Sequence, residues 1–310
     1  MRIAYIEPFG RAWERMKVAL FKPFDLHKWF VVGFNAFLAG LADMHNGSGS
    51  SRSRDRFHFG EFLDFPNRAW RWLMAHPGWF IAIIFGAMVV LVIVVIVIWL
   101  SSRGKFMFLD NVVHNKEGIA KPWKEYRKES DALFLWRLVF GFICLVVFFA
   151  FAVFFFVAGR QLYYAGFGRQ VPVLFLIGMG TILFMLLVLI GFIAMFLDSF
   201  VVPIMYKSRV SATQGWRRFL TLFGQHPLHF ILYGVLMIGL YILFVISVII
   251  VGILTCCIGW AFLVIPYIGT VVTLPVWYTF RAFSLEFLAQ FGPEYVLFPL
   301  AEAQAEGSPA

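Results

Sequence analysis

The sequence predicts an all-α membrane protein with six transmembrane helices. Of its 310 residues, 61% are hydrophobic, 19% are aromatic and only 14% are charged, whereas soluble domains carry about 25% charged residues. A second observation is the run from Phe219 to Phe280, 62 positions without any Asp, Glu, Lys or Arg. As a single helix this run would be about 93 Å long, roughly three times the thickness of a bilayer's hydrocarbon core. The run must therefore fold back on itself.

The spacing of tryptophans identifies the clearest of the six spans. Trp79 and Trp99 are 20 residues apart at the ends of a charge-free segment, which matches about 30 Å of helix between two interfacial aromatic belts. The first span is short, because its apolar part, residues 29–42, has only 14 residues, a length also found in re-entrant segments. Pro266 and Pro275 are predicted to kink the last span. The predicted spans are 28–43, 79–103, 133–158, 171–203, 228–255 and 260–287.

The distribution of basic residues predicts the orientation. With six spans and the N-terminus inside, 18 of the 26 Lys and Arg residues fall on cytoplasmic segments and seven on external ones. This is the bias that the positive-inside rule describes, and it disappears if the first span is left out. We therefore keep the first span and expect both termini in the cytoplasm.

The segments around the spans are predicted from their composition. Residues 1–27 are expected to form a cytoplasmic amphipathic helix, which either lies on the inner membrane surface or packs against the protein's own cytoplasmic face. Residues 28–300 form one six-span domain. Within it, the polar, Gly/Ser-rich segment 44–66 is expected to be a flexible external loop. Two cytoplasmic interfacial segments are predicted at 111–132 and 206–227, and a disordered tail is predicted at 301–310.

An internal repeat relates the cytoplasmic ends of three spans. A five-residue segment that ends in an acid occurs at 106–110 and 194–198, and in a looser form at 282–286. The acids Asp110, Asp198 and Glu286 are therefore separated by 88 residues each. A basic segment with a tryptophan follows each acid, and for the third copy this segment is at the N-terminus. Parallel repeats predict a pseudo-three-fold axis along the membrane normal, with three helical hairpins around it.

Asp110, Asp198 and Glu286, together with Arg137, are the candidate residues of a pocket or pathway. Ionisable groups at membrane depth are costly and often line the path of an ion or a substrate, and three converging acids would attract cations. The alternative, which we favour, places the acids among the headgroups, where they cap the next helix or pair with Lys and Arg. Arg137 would then be a partner of one acid or would extend to the interface.

Five aromatic and basic residues beside the spans are candidate interfacial anchors. Tryptophan is enriched at the level of the headgroups, and each basic residue near an anionic surface contributes about 1 kcal/mol. Membrane lipids, anionic on the cytoplasmic side, are therefore the expected partners, and nucleic acid is not. The same face could also recruit a protein partner or a second copy of the chain. The candidate anchors are Trp13, Trp123, Trp216, Arg217 and Arg218.

One stretch of the chain resembles a known group of proteins. The run 202–206 (VPIMY), followed by Ser211-Ala212 and by 215–219 (GWRRF), is similar to uncharacterised bacterial multi-pass proteins related to the membrane domain of glycerophosphoryl diester phosphodiesterases. The segment 292–295 (GPEY) also resembles those proteins. The resemblance implies a bacterial cytoplasmic (inner) membrane and no agreed activity. The hydrolase domain of the phosphodiesterases has no counterpart here.

The sequence contains no signature of catalysis. The motifs GxxxxGK[ST], HExxH and GxSxG are absent, and these accompany nucleotide hydrolysis, zincin proteolysis and α/β-hydrolase chemistry. His226 and His229 have a spacing that suits two metal ligands, but a zinc site needs a third. We therefore expect no catalytic residues, no cofactor and no metal. The favoured function is a lipid-interacting or transport-like bundle, the alternative is a scaffold or assembly subunit, and an intramembrane enzyme ranks last.

Overall fold

The protein is helical throughout the part of the chain that the computed structural model describes, as the sequence predicts. These residues are 3–22, 24–43, 63–116, 118–164, 170–255, 263 and 265–298. The chain divides into two compact units. The first comprises Met1–Asp43, Ile98–Trp136 and Ala194–Ala310, and the second comprises Met44–Val97 and Arg137–Ile193.

The helices are numbered in chain order, and two short 3₁₀ turns, Ala289–Phe291 and Pro293–Tyr295, follow the last one. A π-helical turn, Leu197–Val201, joins α7 to α8. The helices are α1 (Ile6–Phe21), α2 (Leu26–Gly40), α3 (Phe65–Ala75), α4 (Pro77–His114), α5 (Ala120–Glu125), α6 (Arg127–Tyr164), α7 (Gln170–Phe196), α8 (Val202–Ser208), α9 (Ala212–Gln225), α10 (Pro227–Leu254), α11 (Pro266–Val272) and α12 (Leu274–Leu288).

Four helices are long and apolar enough to span a membrane. They are Pro77–His114, Arg127–Tyr164, Val173–Ser208 and Pro227–Leu254. In their most apolar segments the mean hydropathy is 2.9–3.5, and at most 6% of those residues are buried within the chain. Apolar surface on this scale needs a partner other than water, and helices satisfy their own backbone groups in lipid. The chain is therefore a membrane protein.

The first predicted span, 28–43, is a short helix beside the end of α4. Asp25 caps α2 by accepting a 2.8 Å hydrogen bond from the backbone N–H of His27. Lys28 Nζ lies 2.9 Å from Asn115 Oδ1, while at the other end of α2 the Ser101 hydroxyl donates to the carbonyl of Ala39 at 2.8 Å. The fifteen residues of α2 thus run antiparallel to the last turns of α4.

The last predicted span, 260–287, is interrupted. Its described part consists of α11 and α12, which meet at Thr273, and residues 260–262 and 264 lie outside the described residues. Pro275 has no N–H and so cannot continue the hydrogen bonding of α11. The first predicted span is short and the last is broken. Among the described residues, four helices rather than six are therefore long and apolar enough to span a membrane. The three-fold arrangement stays a prediction.

The core of the first unit is aromatic. Phe200 follows Asp198 in the π-helical turn, and its ring lies 5.4 Å from that of Phe219 and 4.8 Å from that of Tyr233. Phe230 and Phe287 complete the cluster, and all five side chains are buried. Large aromatic side chains dominate the energetics of such cores. This cluster joins α9, α10 and α12 to the end of the third long helix.

The helix predicted within residues 1–27 packs against its own chain. Ala12, Met16 and Leu20 of α1 are fully buried, and Phe9 meets Phe283 of α12 edge-on, with ring centres 5.7 Å apart. Trp13, by contrast, is 44% exposed. The protein itself therefore covers the buried stripe of α1, and Trp13 lies at the edge of this stripe, where it is partly accessible.

In the second unit, the residues just before α3 pack where α6 and α7 meet. Leu63 is buried there, and a Cβ at Gly159 would lie 2.9 Å from a Leu63 methyl carbon, so α6 needs glycine at this contact. Asp64 Oδ2 accepts a 2.7 Å hydrogen bond from Tyr164. The predicted external loop 44–66 falls on residues 44–62, which lie outside the described residues, and on the start of α3. The helix α3 was not among the predicted elements.

Candidate functional site

Asp110 lies in the last turns of α4 and accepts hydrogen bonds from two tyrosines. The hydroxyls of Tyr206 and Tyr126 lie 2.7 Å and 3.2 Å from Asp110 Oδ1, and His114 Nδ1 lies 3.1 Å from the same atom. The two tyrosine rings stack with their centres 4.7 Å apart. Burial raises the pKa of Tyr126 to about 12, so its hydroxyl remains a donor at physiological pH.

Asp198 lies in the π-helical turn, and Pro203 explains why the helix widens there. Proline lacks an N–H and collides with the carbonyl four residues earlier in a regular helix, which a wider turn relieves. In this turn the N–H of Val202 bonds to the carbonyl of Leu197, and the carbonyl of Asp198 would need the missing N–H of Pro203. The guanidinium of Arg281 donates to that carbonyl instead.

The Asp198 carboxylate pairs with a buried lysine. Lys105 Nζ contacts Asp198 Oδ2 and lies 3.0 Å from Asp43 Oδ2, and its side chain is 4% exposed. A buried ammonium is tolerated only when it is paired and hydrogen-bonded. Lys105 therefore connects α4, the end of α2 and the π-helical turn in one ionic cluster.

Glu286 pairs with two arginines of α1. Its two carboxylate oxygens lie 2.9 Å and 2.8 Å from the Nε atoms of Arg11 and Arg15, and its side chain is 8% exposed. The guanidinium of Arg15 also lies 4.0 Å above the ring of Phe298. This acid holds α1 on α12.

The predicted pathway residues thus lie in separate clusters, each with its own partners from other elements. Asp198 and Glu286 have Lys and Arg partners of the kind that the alternative predicts, whereas Asp110 accepts from two tyrosines. A role of these acids in a pocket or pathway stays a prediction. Arg137 is half-buried and is the first residue of a segment of the second unit.

Sequence reasoning missed the partners of the acids. Lys105 and Arg281 each precede an acid of the repeat by five residues, and they are 176 residues apart, which is twice 88. The repeat therefore contained a signal for both residues. Tyr126 and Tyr206 had no such signal, because a hydroxyl partner cannot be recognised without knowing which helices are neighbours.

The candidate anchors Trp123 and Trp216 lie where the exposed apolar parts of the long helices begin. Trp216 of α9 stacks on Trp136 of α6, with ring centres 5.3 Å apart. Trp123 of α5 meets Trp99 of α4 at 5.8 Å, and the guanidinium of Arg103 lies within 5 Å of both of these rings. Two pairs of indoles therefore connect α5 and α9 to the long helices.

The candidate anchors Arg217 and Arg218 are exposed on α9. On the opposite side of α9, Gly215 and Phe219 are buried, and a Cβ at Gly215 would lie 2.9 Å from Met205 Cγ. With other exposed basic residues of α5 and α6, the two arginines form what we name the basic rim: Lys121, Lys124, Arg127, Lys128, Arg217 and Arg218.

The geometry offers no metal site among the residues that the structure describes. No group of three His, Cys, Asp or Glu residues in that part of the chain could hold an ion. His229 Nδ1 lies 2.7 Å from the Tyr5 hydroxyl, and the ring centres of His226 and His229 are 6.0 Å apart. His229 therefore connects the start of α10 to the N-terminal segment, while the ring of His226 lies 5.6 Å from that of Phe291.

A family model matches nearly the whole chain. Residues 4–298 match DUF7544, a family of unknown function, and the chain belongs to that family. No curated protein and no solved structure matches the chain. Membership therefore assigns neither activity nor ligand, and the similarity to the membrane domain of the phosphodiesterases stays a prediction.

Proposed function

We propose that this member of the DUF7544 family is a bacterial inner-membrane protein that binds anionic phospholipids with the basic rim and catalyses no reaction. The observation that carries the proposal is the position of α9. Its Trp216 stacks on Trp136, near the point where α6 becomes apolar and exposed, while Arg217 and Arg218 project away from the protein. An indole at the interface with arginines beside it is an arrangement that suits a layer of phosphate groups.

The packing of α9 makes its arginines available to lipid. Ala212, Gly215, Phe219 and Leu222 form its buried stripe, so the helix is held by its own protein and does not depend on lipid for its place. Because the protein itself covers this stripe, the side of α9 that can meet lipid headgroups is the exposed side, which carries Arg217 and Arg218. Each basic residue near an anionic leaflet contributes about 1 kcal/mol, and the basic rim has six of them.

The first unit is placed on the cytoplasmic side in this proposal. It contains the described parts of both terminal regions and the connections α4–α6 and α8–α10, which supports their location on one side of the membrane. The excess of basic residues on these segments favours the cytoplasm. Six crossings require that α2 and the α11–α12 pair also cross, as a short helix and a broken helix.

Thiol labelling of intact cells tests this topology. In a variant without native cysteines, a cysteine at position 46 should react with a membrane-impermeant maleimide, and a cysteine at position 124 should react only after the cells are opened. Protection of position 46 in intact cells would contradict the crossing by α2.

A transport pathway through the acids has less support than lipid binding. Asp110 is held by two tyrosines, Asp198 by Lys105, and Glu286 by Arg11 and Arg15. Asp198 and Glu286 are already paired with cations and therefore attract a passing cation only weakly. The Asp110 oxygen that faces the two tyrosines is occupied by their hydrogen bonds. We therefore assign these clusters to the stability of the first unit.

Electron paramagnetic resonance with spin-labelled lipids tests the lipid proposal. The full chain is reconstituted in phosphatidylcholine vesicles that contain traces of labelled phosphatidylglycerol or labelled phosphatidylcholine. The native protein should immobilise phosphatidylglycerol preferentially, and the preference should decrease when salt screens the charges. In the double variant Arg217→Gln/Arg218→Gln the preference should decrease, by up to about fivefold for each charge removed.

The matched control is Gln214→Ala, which changes another exposed residue of α9 and should leave the preference unchanged. Equal immobilisation of both lipids by the native protein would exclude the proposal. The scaffold alternative would replace it if the double variant kept its lipid preference but lost a protein that copurifies with the native chain in stoichiometric amount.

A further inference from the structure

The helix α3 presents an apolar side that the rest of the described chain does not cover. None of its eleven residues is buried. At 3.6 residues per turn its apolar residues fall on one side, while Asn67 and Arg71 lie on the other. An apolar helix face requires an apolar partner. The residues of this side are Phe65, Pro66, Ala69, Trp70, Trp72 and Leu73.

The same side of α3 lines a groove against the beginning of α4. Ile83 of α4 contributes the opposite wall, and Arg68 lies at the edge. The volume of the groove is about 630 Å³, which is within the range of about 300–1,000 Å³ that is usual for small-molecule sites. An apolar groove with one cation at its edge matches a ligand with a hydrocarbon chain and an anionic group.

Contacts at both ends of α3 hold the groove open. Before the helix, Asp64 bonds to Tyr164 at 2.7 Å. After the helix, the ring of His76 stacks on that of Trp72 at 4.8 Å, and His76 Nδ1 lies 2.9 Å from the carbonyl of Trp72. The angle between α3 and α4 is therefore set by the protein, and the groove is formed before any ligand arrives.

The charge around α3 favours an anion. Within α3 there are two arginines, Arg68 and Arg71, and no acid. Arg68 and Arg71 are both exposed. Two helical turns after Ile83, on the same side of α4, Val90 is 59% exposed, so a hydrocarbon chain could extend from the groove along the helix into the bilayer.

We propose that this groove binds one anionic phospholipid, with an acyl chain against Trp70, Trp72 and Ile83 and the phosphate on Arg68. The site is separate from the basic rim, because its residues belong to the second unit and those of the rim to the first. The protein would thus hold a lipid between the predicted external loop, 44–66, and the second predicted span, 79–103. Neither proposal depends on the other.

Native mass spectrometry of the full chain tests the site. The protein is released from nanodiscs that contain equal amounts of phosphatidylglycerol and phosphatidylcholine, and the retained lipids are counted. We expect one retained phosphatidylglycerol that Arg68→Gln weakens by about fivefold. Ala69→Trp fills the groove and should remove the retained lipid entirely, while the helix content of the purified variant verifies that it is folded.

The matched control is Asn67→Gln, on the other side of α3, which should leave retention unchanged. The variant Arg217→Gln of the basic rim should also leave this lipid in place, so failure here and failure of the proposed function are distinguishable. Retention of both lipids in equal amount, with no effect of Arg68→Gln, would overturn the proposal. A dimer that Ala69→Trp dissociates would overturn it as well, since a second copy would then fill the groove.

Discussion

The two halves of α4 present opposite surfaces on one continuous helix. In the first half, Phe85 and Leu91 are 67% and 62% exposed, whereas in the last turns Arg103 and Lys105 are 6% and 3% exposed. In water this would be the reverse of the usual distribution. The comparison teaches that each half has its own solvent: hydrocarbon around the apolar half, and paired carboxylates and aromatic rings around the charged half.

Removal of the buried cation should have the largest effect on the charged half. Lys105→Met removes the charge-assisted hydrogen bonds to Asp198 and Asp43, which together are worth about 3 kcal/mol. We expect a clear decrease in the melting temperature of the protein in detergent. The exposed Lys124→Met serves as the control, and an equal decrease for both variants would show that the cluster does not stabilise the fold.

A charge placed in the apolar half should prevent its insertion. Val90 is 59% exposed and lies about midway between Trp79 and Trp99. Arginine near the centre of a span costs about 2.5 kcal/mol of insertion free energy, so Val90→Arg should reduce the inserted fraction in a microsomal translation assay. Val90→Leu is the control. Full insertion of the arginine variant would mean that lipid does not surround this half.

The surroundings of two glycines show how differently the two halves of α4 are packed. A Cβ at Gly104 would lie 2.5 Å from the backbone N of Ala39, while a Cβ at Gly86 would meet nothing within 4 Å. Gly104→Ala should push α2 away and cost about 1–3 kcal/mol through overpacking, and Gly86→Ala should be neutral or slightly stabilising. Thermal unfolding in detergent measures both variants. Equal melting temperatures would refute the close contact of α2 and α4.

The smallest effect is expected from the tyrosine beside Asp110. Tyr126→Phe removes one hydrogen bond, worth about 1 kcal/mol. Burial raises the pKa of Tyr126 from its usual value of 10.0 to about 12, so the unfolded chain loses this proton first as the pH rises. The contribution of Tyr126 to stability is therefore complete below pH 10 and is lost between pH 10 and 12.

Unfolding curves at several pH values in that range measure this contribution. The native protein should lose stability more steeply between pH 10 and 12 than Tyr126→Phe does. Identical slopes for the two proteins would contradict the burial of this hydroxyl.

The helical class and the four long helices could be predicted because apolar composition alone defines them. The C-terminal end of α4 could not be predicted in this way. The predicted span ends at residue 103, near Arg103 and Lys105, yet the helix continues to His114. These charges are buried by residues far away in the chain, such as Asp198, 93 positions after Lys105. A pairing of this kind depends on tertiary packing, which hydropathy does not contain.

The candidate residues show the same division. The repeat drew attention to three acids that lie in polar clusters, but it could not indicate that tyrosines hold Asp110 while arginines hold Glu286. The helix α3 was missed for another reason. Its start was included in a polar loop, although Pro66 in the first turn and the apolar residues after it are typical of a helix that begins there.

Two hydrogen bonds between Ala4 and Gln290 bring the segment before α1 close to the segment after α12. The Gln290 side chain accepts from the Ala4 N–H at 2.9 Å and donates to the Ala4 carbonyl at 3.0 Å. A peptide linker across so short a gap would have a small closure entropy. The gene could therefore be rearranged into a circular permutant, opened at the connection between α8 and α9, in which α12 leads directly into α1.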